Sequence, residues 1–165
     1  MINMKNKYLV HLLLICIVVL FQIYFPIISI KSLQIQPDII LLYITVIAIL
    51  FGRLSAIVIG FILGLIQDFS TQAQLLGVLS LSKSIAAYLL GSIYNYKTIW
   101  SRRVQYGVIF ISYIIHFFIY FYLFSRTIFD LYYLLIFILL HSIIVFLLLL
   151  LCEKLVFKNK LLQWN

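Results

Sequence analysis

The sequence predicts an all-α integral membrane protein with six transmembrane helices in a single transmembrane domain over residues 1–165. Composition is the first reason. Hydrophobic residues make up 66% of the chain and charged ones 10%, more apolar surface than a soluble chain of this length can hide, so lipid must be the solvent. The placement of the basic residues is the second. With six spans drawn, Lys5, Lys7, Arg53, Lys97, Arg102, Arg103, Lys154, Lys158 and Lys160 fall on one side, and only Lys31 and Arg126 on the other. The positive-inside rule then puts both termini in the cytoplasm. It also accounts for the net charge of +8 without nucleic acid, since the basic residues form no continuous patch. Cys16 and Cys152 lie far apart in apolar runs, which indicates neither a disulfide framework nor a CxxC metal site.

The first helix is expected over 8–25, after Lys5 and Lys7. It is too long for a signal peptide and lacks a clean cleavage site. Pro26 ends it, and a short polar segment leads to Pro37-Asp38. Asp38 is placed to cap the second helix, 39–51, by accepting from its free N–H groups. That helix is roughly 20 Å long at 1.5 Å per residue, against a hydrocarbon core of roughly 30 Å. It must therefore thin the bilayer, be buried in the bundle, or extend into its neighbours. Gly52-Arg53 makes the turn into the third helix, 54–67, and a polar loop from Ser70 to Gln74 precedes the fourth, 75–94. The fifth helix, 104–124, is rich in aromatics and contains His116. The sixth, 131–152, carries His141 and leads to a basic tail. Tyr94, Tyr96 and Trp100 then fall at the cytoplasmic interface, and Tyr132 and Tyr133 at the outer one, as aromatic belts.

The third helix has small residues in steps of four at Gly52, Ala56, Gly60 and Gly64, with Asp68 next in the series. A step of four holds one face of a helix, so this face is a groove for a closely packed neighbour. The fourth helix has its own small stripe at Gly77, Ser80, Ser84, Ala87 and Gly91. Lys83 lies beside that stripe, and a cation at membrane depth needs a partner or a route to water. Asp68 is the economical partner; snorkelling of Lys83 to the outer surface is the alternative. His116 and His141 lie at comparable depth, but no further ligands join them in sequence, so they read as polar interhelical contacts and not as a metal site. There is no phosphate-cradling loop, HExxH or GxSxG.

The stretch Pro37-Asp38-Ile39-Ile40-Leu41-Leu42, then Gly60-Phe61-Ile62-Leu63-Gly64-Leu65-Ile66-Gln67-Asp68, then Leu76-Gly77 and Ala86-Ala87-Tyr88-Leu89, resembles the rod shape-determining MreD family. Length and span pattern agree along most of the chain, and specific residues agree from about Pro37 to Gly91. The loop after Asp68 departs from the family pattern in lacking a glycine.

The resemblance implies a fold similar to the six-helix substrate-binding components of energy-coupling-factor vitamin transporters. It also implies a noncatalytic inner-membrane subunit of the cell-elongation (rod) complex, which organises lateral peptidoglycan synthesis. The implied partners are a bitopic MreC-type protein, MreB filaments, a RodA-type polymerase and a penicillin-binding transpeptidase, besides membrane lipids. The family offers no catalytic, cofactor or metal residues to carry over. Asp38, Gly60, Gly64, Asp68, Gly77 and Lys83 are therefore expected to serve helix packing or partner binding. The alternative is a vitamin-binding component of a membrane transporter. Against it, the first helix has no alanine or glycine, whereas those components dock through an Ala-xxx-Ala face on theirs.

Overall fold

The computed structural model describes residues 4–26, 28–30, 33–71, 76–124, 131–157 and 161–162. The described elements are α1 (Met4–Tyr24), β1 (Ile28–Ile30), β2 (Leu33–Ile35), α2 (Ile39–Phe51), α3 (Arg53–Thr71), α4 (Val78–Leu90), α5 (Ser92–Tyr96), α6 (Arg102–Phe124) and α7 (Leu131–Leu155). With α4 and α5 counted as one helix interrupted at Gly91, the six-helix count fits. Among the described residues α3, α6 and α7 are each long and apolar enough to cross a membrane, and Leu13–Tyr24 and Ile39–Phe51 are shorter apolar helices.

Several boundaries differ from the sequence reading. α3 runs to Thr71, so Asp68 lies inside the helix, and Ser70 and Thr71 belong to its last turn. Their hydroxyls donate back to the Gln67 carbonyl at 3.0 and 2.7 Å. α4 starts at Val78, three residues later than expected. The segment after Pro26 contains a small antiparallel hairpin pairing Ile28 with Ile35, Ser29 with Gln34 and Ile30 with Leu33. Loop residues 72–75 lie outside the described residues, as do Lys31, Arg126, Asp130, Lys158 and Lys160.

The short α2 is accommodated by burial. Ile40, Leu41, Ile44, Thr45, Ile47, Ala48 and Ile49 are all buried, and the helix touches α1, α3, α4, α5 and α7. A single residue, Gly52, turns the chain into α3; its φ of 84° is a conformation that costs glycine little and other residues much. The core continues through Ala56 and Leu63 of α3, Ala86, Ala87 and Leu90 of α4, Ile109, Tyr113 and Phe117 of α6, and Val145 and Leu149 of α7.

The most extensive helix pair is α3 with α4. A β-carbon built on Gly64 would sit 2.3 Å from Ser80 Cα, and one on Gly91 would sit 2.4 Å from Arg53 Cα. Gly60 is less tight, its nearest neighbour being the Lys83 carbonyl at 3.3 Å. Backbones this close exclude side chains at the crossing, which is the packing mode of small residues in membrane helices. α4 then packs on α6, and α6 on α7.

Candidate functional site

Polar side chains gather at one end of the bundle, where α1 finishes, α2 starts, α3 finishes and α4 starts. Helices that begin inside an apolar bundle have free N–H groups with no water to satisfy them. α2 solves this with Asp38, whose Oδ1 accepts from Leu41 N at 2.9 Å. Gln22 of α1 clamps the same entry: its Oε1 accepts from Ile39 N at 2.6 Å and its Nε2 donates to the Pro37 carbonyl at 3.2 Å. Gln36 closes the other side by donating to the Gln22 carbonyl at 3.2 Å, which serves the free end of α1.

α4 has no side-chain cap of its own, because Gly77 occupies that position with φ 100°. Asp68 supplies the cap from α3. Its Oδ2 accepts from Gly77 N and Ser80 N, both at 3.1 Å, and its Oδ1 accepts from Leu79 N at 3.0 Å. The Ser80 hydroxyl adds a contact at 3.3 Å. Asp68 is fully buried, and its charge sits against the positive end of the α4 dipole.

Lys83 does not pair with Asp68 and does not snorkel. Its side chain is fully buried, and its ammonium donates to Asp38 Oδ2 across the α2–α4 contact. The physical reason is that the Asp68 oxygens already face the α4 amides, whereas Asp38 spends one oxygen on Leu41 and leaves the other open. His116 Nε2 of α6 lies 3.3 Å from the same Asp38 oxygen, outside hydrogen-bond geometry. Asp38, Lys83 and His116 thus form one buried cluster joining α2, α4 and α6. Near it, Thr45 Oγ1 and Tyr113 OH share a hydrogen bond at 2.9 Å between α2 and α6.

A cavity of about 270 Å³ adjoins this cluster, lined by Gln22, Gln36, Asp38, Gln67, Thr71, Leu79, His116, Phe117, Tyr120, Phe121, Phe124 and His141. His141 is held by a bond between its Nδ1 and the Phe137 carbonyl at 2.9 Å, and its ring packs on Phe117 and Phe121. The two histidines thus share a cavity wall with Phe117 between them, its ring centroid 4.8 Å from His116 and 5.4 Å from His141. Among the described residues, no three His, Cys, Asp or Glu side chains come together as metal ligands would.

Of the six residues singled out in the sequence, Asp38 and Lys83 form an ion pair. Gly60 and Gly64 lie at the α3–α4 crossing, and Asp68 and Gly77 meet at the α4 start. Gln22, Gln36 and Gln67 escaped the sequence reading; a carboxamide within or beside an apolar helix is the signal that could have found them, since it demands partners there. At the opposite end, Tyr106 OH donates to Glu153 Oε2 at 2.7 Å, tying α6 to α7. The family model described as rod shape-determining protein MreD matches residues 3–156 of the chain. No curated protein and no solved structure matches it.

Proposed function

The chain belongs to the rod shape-determining MreD family, and from that premise we propose that it is a noncatalytic subunit of the bacterial cell-elongation complex. The observation that carries the reading is the match across nearly the whole chain, from residue 3 to residue 156. The use made of the charged groups supports it. Asp68 caps α4, and Asp38 caps α2 and pairs with Lys83, so these charges serve assembly of the bundle.

In this reading the protein is one transmembrane domain of six spans in the cytoplasmic membrane, with both termini in the cytoplasm and the Asp38–Asp68 end facing outward. It maintains rod shape by binding an MreC-type bitopic protein. Through that contact it joins MreB filaments, a RodA-type polymerase and a penicillin-binding transpeptidase in lateral peptidoglycan synthesis. Depletion in a rod-shaped host should give rounded cells with delocalised wall synthesis, and an affinity-tagged chain extracted in mild detergent should retain the MreC-type protein. Depleted cells that stay rod-shaped, with no such protein retained, would refute the proposal.

A further inference from the structure

We propose that the cavity beside the Asp38–Lys83 pair is a binding site for a neutral, hydroxyl-bearing ligand with an apolar face, about the size of a sugar ring. The room is there: about 270 Å³ holds roughly nine waters at about 30 Å³ each. The cavity also carries a polar atom left without a partner among the described residues. Gln67 Oε1 finds no hydrogen-bond partner among the described residues, although Gln67 is only 9% exposed, whereas His116 Nε2 already faces Asp38 Oδ2 at 3.3 Å. Buried polar atoms are ordinarily satisfied, so atoms that line a cavity and lack a partner point to something the cavity takes in.

The kind of group follows from what is open. Gln67 Oε1 can only accept. His141 bonds the Phe137 carbonyl through Nδ1; a carbonyl only accepts, so in the neutral ring Nδ1 holds the proton and Nε2 is a second acceptor. A ligand must therefore donate. It gains nothing from charge, because Lys83 already neutralises Asp38 and the cluster presents no net charge. An anion would meet a carboxylate and two acceptors. Hydroxyl groups donate to both acceptors. The lining is also aromatic, with the Phe117 and Phe121 rings stacked at 25°, and suits the C–H face of a saturated ring. Two of its lining residues, Thr71 and Phe124, are themselves exposed.

The hydroxylated group could arrive as a free solute or as the headgroup of a lipid. A smaller cavity of about 80 Å³ backs onto Gln22, Gln36, Gln67 and Thr71, and its other walls include Val19, Ile23 and Ile40, which would suit a hydrocarbon chain. The test uses the full chain in phosphatidylcholine nanodiscs. In the first arm, methyl glucoside is titrated and followed by saturation-transfer NMR, with glucuronate as the charged control. In the second, glucosyl diacylglycerol is included in the disc and its retention is measured by native mass spectrometry. Saturable binding in either arm, with glucuronate inert, is the expected result, and the arm that responds identifies the source. Gln67→Leu removes a buried amide whose oxygen has no partner among the described residues, at nearly constant size. It should leave the thermal midpoint equal or higher while weakening binding about tenfold, the loss of one buried hydrogen bond. Absence of saturable binding in both arms, equal binding of glucuronate, or unchanged affinity in Gln67→Leu would each overturn the proposal.

Discussion

Gly64→Ala adds one methyl group where none fits. The new β-carbon would lie 2.3 Å from Ser80 Cα, 2.7 Å from Ser80 N and 2.9 Å from the Leu79 carbonyl oxygen. All three are backbone atoms, so no rotamer change relieves the clash. Ordinary contact begins near 3.4 Å, and α3 and α4 must part by more than 1 Å to reach it. That movement carries the amides of Leu79 and Ser80 away from Asp68, which now accepts them at 3.0 and 3.1 Å. Overpacking costs about 1–3 kcal/mol, and each hydrogen bond to a charged group is worth about 1.5–3 kcal/mol. The better helix propensity of alanine returns only about 1 kcal/mol. Even the low end of each range leaves a net loss of about 3 kcal/mol, a large share of the 5–15 kcal/mol typical of a folded domain. Gly60→Ala is the internal control. Its β-carbon would meet the Lys83 carbonyl oxygen at 3.3 Å and Ala87 Cβ at 3.4 Å, so a shift of a few tenths suffices and stability should change by no more than about 1 kcal/mol. The assay is membrane-extracted protein level together with thermal unfolding in detergent for wild type and both variants. A Gly64→Ala protein as abundant and as heat-stable as wild type, or one less affected than Gly60→Ala, refutes the account of this crossing.

Lys83→Met strands the Asp38 carboxylate inside the bundle and should cost about 3–5 kcal/mol, whereas adding Asp38→Asn recovers part of the loss. In a double-mutant cycle read by thermal unfolding, the Lys83–Asp38 coupling should exceed the Lys83–Asp68 coupling; the reverse order would restore the pairing expected from sequence. Asp68→Asn keeps one acceptor oxygen but loses the charge at the α4 start and should destabilise by about 1–3 kcal/mol, with hydrogen exchange rising first at Leu79 and Ser80. Cysteine substituted at exposed Ser70 should react with an impermeant thiol reagent added to intact cells (after opening any outer envelope), and cysteine at exposed Thr98 should not. Labelling in the opposite pattern would invert the topology.

The legible part of the fold was its local part. Glycines in steps of four mark one helix face whatever surrounds it, so the groove of α3 could be read from spacing alone. Which helix fills the groove is a long-range fact, and only the close approach of Ser80 to Gly64 supplies it. The hairpin is not legible in the sequence, although Ile28-Ser29-Ile30 and Leu33-Gln34-Ile35 do alternate. Two strands of three residues between prolines give too short a window for a period of two to stand out. The cavity was illegible for a different reason. Its lining comes from α1, α3, α4, α6 and α7 and from the segment before α2, at positions joined by no sequence period.

The ion pair shows where reasoning from depth alone stops. Asp38 and Asp68 both sit at the same end of the bundle, and from the sequence either could neutralise Lys83. The deciding quantity is how many donors each carboxylate already has. α2 and α4 are both short helices, 13 residues each, that begin among other helices, so each needs an acceptor for its first amides. Asp38 serves its own helix through a single bond to Leu41 N, because Gln22 has already taken Ile39 N. Asp68 serves a neighbouring helix and receives three amides and a hydroxyl. A buried carboxylate with four donors is solvated by the protein; one with a single amide is not, and it is there that a cation returns most. Lys83 therefore goes to Asp38, and the choice follows from Gly77, which leaves α4 without a cap of its own and so commits Asp68 to the amides.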